Sequence, residues 1–331
     1  MQAIVINEHG DSQVFEDLQL PNLTPRPGHV VIEVRATSVN PVDTKIRQGS
    51  EGTAGLTFPA VLHMDVAGVI SSVGEGVDTF KVGDEVYGCA GGVVGIPGAL
   101  AEQMEADANL IAIKPKSLSF GEAAALPLVS ITAWEALVDR ASIKPMDDVL
   151  IHGGTGGVGH IAIQLAKAMG ARVTTTVSTD EKAQIARSLG ADEVANYRSE
   201  SPEQYSQRIT DGKGFDTVFD TFGGEVLQNS LKAAKLKGHV ISIIGYDTYD
   251  LTDMHFKGLK LDLVFMPIQI IHNVEREKHG EILRRVAALV DRGQVKPLID
   301  QRYPFTRQGA GAAHDRLESS KAIGKIVIAR D

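Results

Sequence analysis

The chain has 331 residues, 43% hydrophobic and 23% charged, with a formal net charge of −9. That length exceeds one ordinary core and implies two domains. The acidic balance, with no run of lysines or arginines, leaves nucleic acid and membrane surfaces as poor partners. A single cysteine, Cys89, rules out a disulfide framework and any zinc site built mainly from thiolates, and no segment approaches the roughly 18 apolar residues of a membrane span.

The N-terminus has no basic start followed by an apolar core, so no signal peptide is expected and the expected location is cytoplasmic. Residues 1–125 read as β-rich. Alternation over 30–35, bounded by Pro27 and Gly28, predicts a half-buried strand; 66–73, ending at Gly74 and Gly76, predicts another. The stretches 82–88 and 98–102 add turn-plus-strand units, and many short strands with glycine turns imply a partly open barrel. The pattern turns helical near 119, where Ser119 is an N-cap with Glu122 as its capping-box partner. Ala123 to Leu126 follow, then Pro127, and 132–138 give a second helix.

From 149 onward strands and helices alternate. Strands are expected at 149–152, 172–177, 193–196, 215–220, 239–244 and 261–266, with helices that include 184–189 and 225–236. Six strands with crossover helices make a doubly wound parallel sheet, hence an α/β fold. An amphipathic helix at 281–291 and a closing strand at 324–328 follow, the strand returning to the first domain. The expected division is 1–125 with 268–331, and 126–267.

The run from Asp148 to Gly159 organises the second domain. The apolar strand Val149 to Ile151 stops in glycines that contain Gly154-x-Gly156-x-x-Gly159, with Thr155, Gly157 and Val158 filling the turn. Val158, Ile161, Leu165 and Met169 then recur at helical spacing, and Gly170 stands where a left-handed C-cap would end the helix. This strand–turn–helix–strand unit binds dinucleotides. One glycine makes the turn, the next admits the pyrophosphate, the third lets helix and strand pack, and the helix N-terminus offers N–H groups to the anion.

Together the segments resemble the medium-chain dehydrogenase/reductase superfamily, most closely its zinc-free quinone oxidoreductases, the zeta-crystallin-like branch. The likeness is carried in order by 38–44 (SVNPVDT), 65–70 (DVAGVI), 82–86 (VGDEV), 123–127 (AAALP), 131–134 (ITAW), 152–159 (HGGTGGVG) and 324–327 (GKIV). It implies a GroES-like catalytic domain split by a Rossmann domain that binds NADPH. Sister branches hold catalytic zinc with a cysteine and a histidine–glutamate pair. Here Asn40-Pro41-Val42-Asp43 has no cysteine, and His63 falls one place from the ligand position. No zinc is expected, and His63 reads as a hydrogen-bonded core or pocket-wall histidine. Without a Lewis acid, hydride transfer suits electron-poor acceptors, either quinones or carbonyl-conjugated double bonds. Two other readings are a zinc-free alcohol or aldehyde dehydrogenase, and a crystallin-like protein that binds NADPH without turnover.

The resemblance also assigns residues. It places Asn40 and Asp43 near the nicotinamide, although Asp43 equally suits a turn cap. Lys45 stands where the family often has a tyrosine, and is read as a proton donor or a solvated surface lysine. Thr132, the strand ends Ile243 to Gly245 and Phe265 to Met266, and Lys325 match positions around the cofactor. Helix capping for Thr132, core packing for Phe265 and Met266, and a common strand start for Lys325 are the plainer readings. Ser178, Lys182 and Tyr197 match the residues that grip the 2′-phosphate in NADPH-specific relatives. Asp180 would favour NAD only if the second strand ran two residues longer; Thr179-Asp180-Glu181 reads better as a helix start. Residues 259–266 alternate as an edge strand, which implies a homodimer paired there, as in the family.

Overall fold

The computed structural model describes residues 1–50 and 55–330. The chain forms two compact units, Met1–Leu128 with Pro267–Gly293 and Pro297–Asp331, and Val129–Met266 with Gln294–Lys296. Sequence boundaries put that last short piece in the first domain. It groups with the second because the Gln164 carboxamide holds Lys296 at both ends, donating to its carbonyl (2.9 Å) and accepting from its N–H (2.9 Å).

In the first unit the long strand His29–Val39 is central. It pairs antiparallel with Asp65–Val73, Gln103–Asp107 and Lys325–Ala329. Its β-branched Val30, Val31, Ile32 and Val34 are buried, the packing in which such side chains favour strands. Glu85–Cys89, Ile111–Ile113 and Ile299–Pro304 complete seven strands; Phe15–Gln19, Gln2–Ile6 and Ala60–Val61 form a separate three-stranded sheet. The strand expected at 98–102 is irregular instead. Gly98 packs so tightly that a Cβ would lie 2.1 Å from the Leu62 carbonyl oxygen, and the ladder begins only at Gln103.

Ser119 and Glu122 do cap helix Phe120–Ala124: Ser119 Oγ accepts the Glu122 N–H (3.3 Å) and Glu122 Oε2 accepts the Ser119 N–H (2.9 Å). Pro127 does not close that helix but opens the next, Pro127–Trp134, where its missing N–H costs nothing. A π-helical turn, Glu135–Arg140, continues it.

The second unit holds one parallel sheet in the order Glu193–Asn196, Arg172–Val177, Asp148–Ile151, Phe215–Asp220, Ala234–Ser242, Lys260–Leu263. Strand order reverses beside Asp148–Ile151, the position at which such sheets bind dinucleotides. The fifth and sixth strands end at Ser242 and Leu263, short of the expected 244 and 266. Leu150, Phe215, Val218 and Val240 pack with Leu227 and Leu231 of helix Gly224–Ala233 in its core. Among the described residues no helix is long and apolar enough to cross a membrane.

Candidate active site

The glycine turn is pinned from both sides. Thr176 Oγ1 accepts the Gly153 N–H (3.1 Å) and lies 3.2 Å from His152 Nδ1, while the Thr221 hydroxyl donates to the His152 carbonyl (3.0 Å). Burial holds His152 down at about 4, a neutral imidazole at physiological pH. A Cβ on Gly154 would lie 2.2 Å from Thr175 Oγ1, and one on Gly159 2.1 Å from the Gly153 carbonyl oxygen. The fold itself demands those two glycines. Gly156 is different. Its φ is −81°, and an added Cβ would meet Gly153 O at 3.2 Å and nothing else within 4 Å. The space before it is a cradle that a side chain would fill, which fits a pyrophosphate. No side chain caps helix Gly157–Ala168, so the N–H groups of Gly157, Val158 and Gly159 stand at the positive end of the dipole without a side-chain cap, which suits an anion. Thr155 is buried beside them.

The second strand ends at Val177. Thr179 caps helix Asp180–Ser188, its Oγ1 accepting the Lys182 N–H (3.3 Å), so Asp180 is the first helical residue and leaves the strand end to Ser178. Val177 pairs with Asn196, and the Tyr197 N–H donates to the Val177 carbonyl (3.2 Å). Tyr197, 56% exposed, therefore lies beside Ser178, and Lys182 stands in the first turn just beyond. The structure brings these three residues to one end of two neighbouring strands.

Ile243 and Gly245 lie past the fifth strand rather than in it. The Ser242 hydroxyl donates to Asp220 Oδ2 (2.6 Å) and accepts the Ile244 N–H (3.2 Å), turning the chain there. Asp220 also accepts the N–H groups of Phe222 and Gly223, at 2.9 Å each. Phe265 and Met266 follow the sixth strand, the first half-exposed and the second buried. Thr132 is buried inside helix Pro127–Trp134 and is not its N-cap.

In the first unit Asn40 precedes helix Pro41–Gln48, and Asp43 Oδ2 accepts the Asn40 N–H (2.7 Å), the capping role. The Asn40 amide Nδ2 donates to Asp65 Oδ2 (2.9 Å), and its Oδ1 accepts from the Lys325 ammonium. An ammonium only donates and a carboxylate only accepts, so these partners fix which way the amide faces. Lys325 also donates to the Val39 carbonyl (3.1 Å) and lies 3.5 Å from Asp65 Oδ2. Asp65 further accepts from Ser38 Oγ (2.7 Å) and the Leu128 N–H (2.8 Å). Every side chain that takes part is buried, Asn40 at 1% exposure and Lys325 at 3%. The resemblance placed Asn40 and Lys325 at the cofactor; here their polar atoms are bonded within this cluster. Burial above all, helped by the Asp65 charge and opposed by the Asn40 N–H and Lys325, pushes the Asp43 carboxyl up to about 7. Burial lowers Lys325, against the pull of Asp65 and Asp43. Lys45 is half-buried in the last turn of its helix.

His63 is a core histidine, fully buried, with Nε2 2.9 Å from His314 Nε2. The Thr37 hydroxyl donates to the Asp65 carbonyl (2.6 Å), so His63 Nδ1–H must donate to Thr37 Oγ1 (3.2 Å). His63 Nε2 is then the acceptor and His314 Nε2–H the donor. Burial holds His63 at about 3 and His314 well below its usual value, both neutral. Among the described residues no group of three or more histidine, cysteine or acidic side chains is arranged to hold a metal. Sequence reasoning did not single out Asp65, Ser38 or His314 as members of this cluster. A carboxylate heading the apolar run Asp65–Val73 was the one available signal for the first.

A family described as alcohol dehydrogenase GroES-like domain matches residues 26–116, and one described as zinc-binding dehydrogenase matches 157–274. The chain is 34% identical to the 2-methylene-furan-3-one reductase of Solanum lycopersicum, over 99% of this chain and 79% of that protein. It is 33% identical, over the same shares, to the chloroplastic NADPH-dependent alkenal/one oxidoreductase of Arabidopsis thaliana. Among solved structures, an alcohol dehydrogenase superfamily protein from Novosphingobium aromaticivorans superposes with a TM-score of 0.94 at 40% identity, covering 100% of both chains. The Escherichia coli quinone oxidoreductase complexed with NADPH does so with a TM-score of 0.87 at 30% identity, again over 100% of both.

Proposed function

The chain belongs to the medium-chain dehydrogenase/reductase superfamily, in its quinone oxidoreductase-like branch, and we propose that it is an NADPH-dependent reductase of quinones or carbonyl-conjugated double bonds that works without a metal. The observation that carries this reading is the open cradle at Gly156, set beside a second strand that ends at Val177 and is followed by Ser178 and not by a carboxylate. NADPH, when bound, supplies the hydride. The N–H groups of Gly157, Val158 and Gly159, flanked by Gly154, Thr155 and Gly156, bind its pyrophosphate. Ser178, Lys182 and Tyr197 bind the 2′-phosphate. Thr132, Ile243, Gly245, Phe265 and Met266 would lie around the nicotinamide.

The metal-free reading rests on the chemistry of the donor set. Burial, then the Asp65 charge, raises the Cys89 thiol well above its usual value, so no thiolate is at hand. Asp65 is committed to Ser38, Asn40, Leu128 and Lys325, and His63 to Thr37 and His314. Acceptors that already carry an electron-poor carbon need least of what a metal would supply. A panel of acceptors tests this. NADPH should be oxidised with 1,2-naphthoquinone or 2-cyclohexenone, and primary alcohols should not reduce NADP. Turnover of alcohols alone would favour a dehydrogenase; tight NADPH binding with no acceptor turned over would favour a structural protein.

A homodimer is part of the proposal. Lys260–Leu263 is the outer strand of its sheet, and Leu263 at its end and Phe265 just past it are half-exposed. An apolar edge invites pairing, and a symmetry mate closes it under a two-fold axis. Light scattering at micromolar concentration should give twice the chain mass; the mass of one chain would refute the pairing. The cytoplasmic placement rests on cysteine usage, one thiol in 331 residues.

A further inference from the structure

We infer that Arg198 is a second cation for the 2′-phosphate and, with Lys182, sets the preference for NADPH; this rests on the NADPH reading above. Strands Arg172–Val177 and Glu193–Asn196 are parallel neighbours, with Val177 opposite Asn196. Adjacent strands lie about 4.8 Å apart, so residues just past the two ends share one small surface. Ser178 is one residue beyond the first end, and Arg198 is two beyond the second.

The loop holds Arg198 there through its backbone N–H. Asn196 Oδ1 accepts the Arg198 N–H (3.1 Å), and the Asn196 carbonyl accepts the N–H groups of Ser199 (3.0 Å) and Glu200 (2.9 Å). The position of residue 198 therefore does not depend on its side chain. Glu200, the nearest carboxylate along the loop, is engaged by Arg208 through Nε (2.8 Å) and Nη2 (3.1 Å). Asp180 and Glu181 are the other acids nearby, both in the first turn of helix Asp180–Ser188, where the dipole suits them. Among the described residues the Arg198 guanidinium and the Lys182 ammonium make no ion pair, in a chain whose net charge is −9.

A phosphate monoester carries close to two negative charges at neutral pH, and one ammonium balances only part of that. A guanidinium adds a planar fork that meets two phosphate oxygens together, and an arginine near this strand end is a general solution for the 2′-phosphate. NADH, with hydroxyls there, gains nothing from it.

The test is equilibrium binding of NADPH, NADH, 2′,5′-ADP and 5′-AMP to wild type, Lys182→Ala and Arg198→Ala. Arg198→Ala should weaken NADPH and 2′,5′-ADP about 10- to 100-fold and leave NADH and 5′-AMP within about 2-fold. Unchanged NADPH affinity in Arg198→Ala, or equal losses for NADPH and NADH, would overturn the assignment. The two levels separate cleanly. If wild type binds NADH as tightly as NADPH, the cofactor reading falls and this inference with it. If wild type prefers NADPH and only Lys182→Ala loses that preference, this inference alone fails.

Discussion

Gly159→Ala should lose both stability and NADPH, whereas Gly156→Ala should lose chiefly NADPH. At 159 the new Cβ would lie 2.1 Å from the Gly153 carbonyl oxygen and 3.0 Å from Gly154 Cα, so the turn or the helix start must move. Overpacking of that kind costs about 1–3 kcal/mol. Moving the helix start also misdirects N–H groups aimed at the pyrophosphate. Losing two charge-assisted bonds at about 1.5 kcal/mol each weakens binding about 100-fold or more. At 156 the backbone is ordinary, and the only close contact would be Gly153 O at 3.2 Å. Alanine there asks only a small shift of the Gly153 carbonyl, but its methyl occupies the cradle; an affinity loss of about 10- to 100-fold is expected with a melting temperature that falls far less than in Gly159→Ala. Melting curves and NADPH fluorescence titrations check both variants. Unaltered NADPH affinity in Gly156→Ala would mean that the pyrophosphate does not approach this turn.

Lys182→Ala should weaken NADPH about 10- to 150-fold and leave NADH nearly unchanged, the worth of one charge-assisted contact of about 1.5–3 kcal/mol. The backbone supports the placement. Thr179 caps the helix, so Lys182 sits in its first turn beside Ser178, and Asp180 points into helix geometry instead of the ribose position. Raising the salt concentration should shrink the difference between wild type and variant, because a half-buried contact at the domain surface is still partly screened. A wild type that prefers NADH, or a variant that weakens both cofactors equally, would contradict the assignment.

The second unit was the more legible half of the sequence. Its strands announce themselves as short apolar runs with glycines at fixed offsets, and both patterns are local. What escaped was decided by contacts. The fifth strand stops at Ser242 because that hydroxyl bonds to Asp220 and to the Ile244 N–H, which no hydrophobic pattern encodes. Pro127 is ambiguous in sequence, since proline ends one helix and starts another equally well; only packing decides. The polar cluster of the first unit was the least legible. Lys325 bonds to Asn40 across 285 positions of chain and to Asp65 across 260. The family motif named Asn40 and Lys325 individually but carried no sign that they bond to each other. Asp43 was legible as a cap, which is how the structure uses it.

Chelation tests the central claim most directly. The protein is dialysed exhaustively against a strong chelator, and NADPH oxidation is measured with 1,2-naphthoquinone and 2-cyclohexenone before and after. Because Cys89 is a buried thiol and Asp65 and His63 are committed to neighbours, activity should be unchanged and added zinc should not raise it. Activity that is lost on dialysis and restored by zinc alone would contradict metal-free hydride transfer.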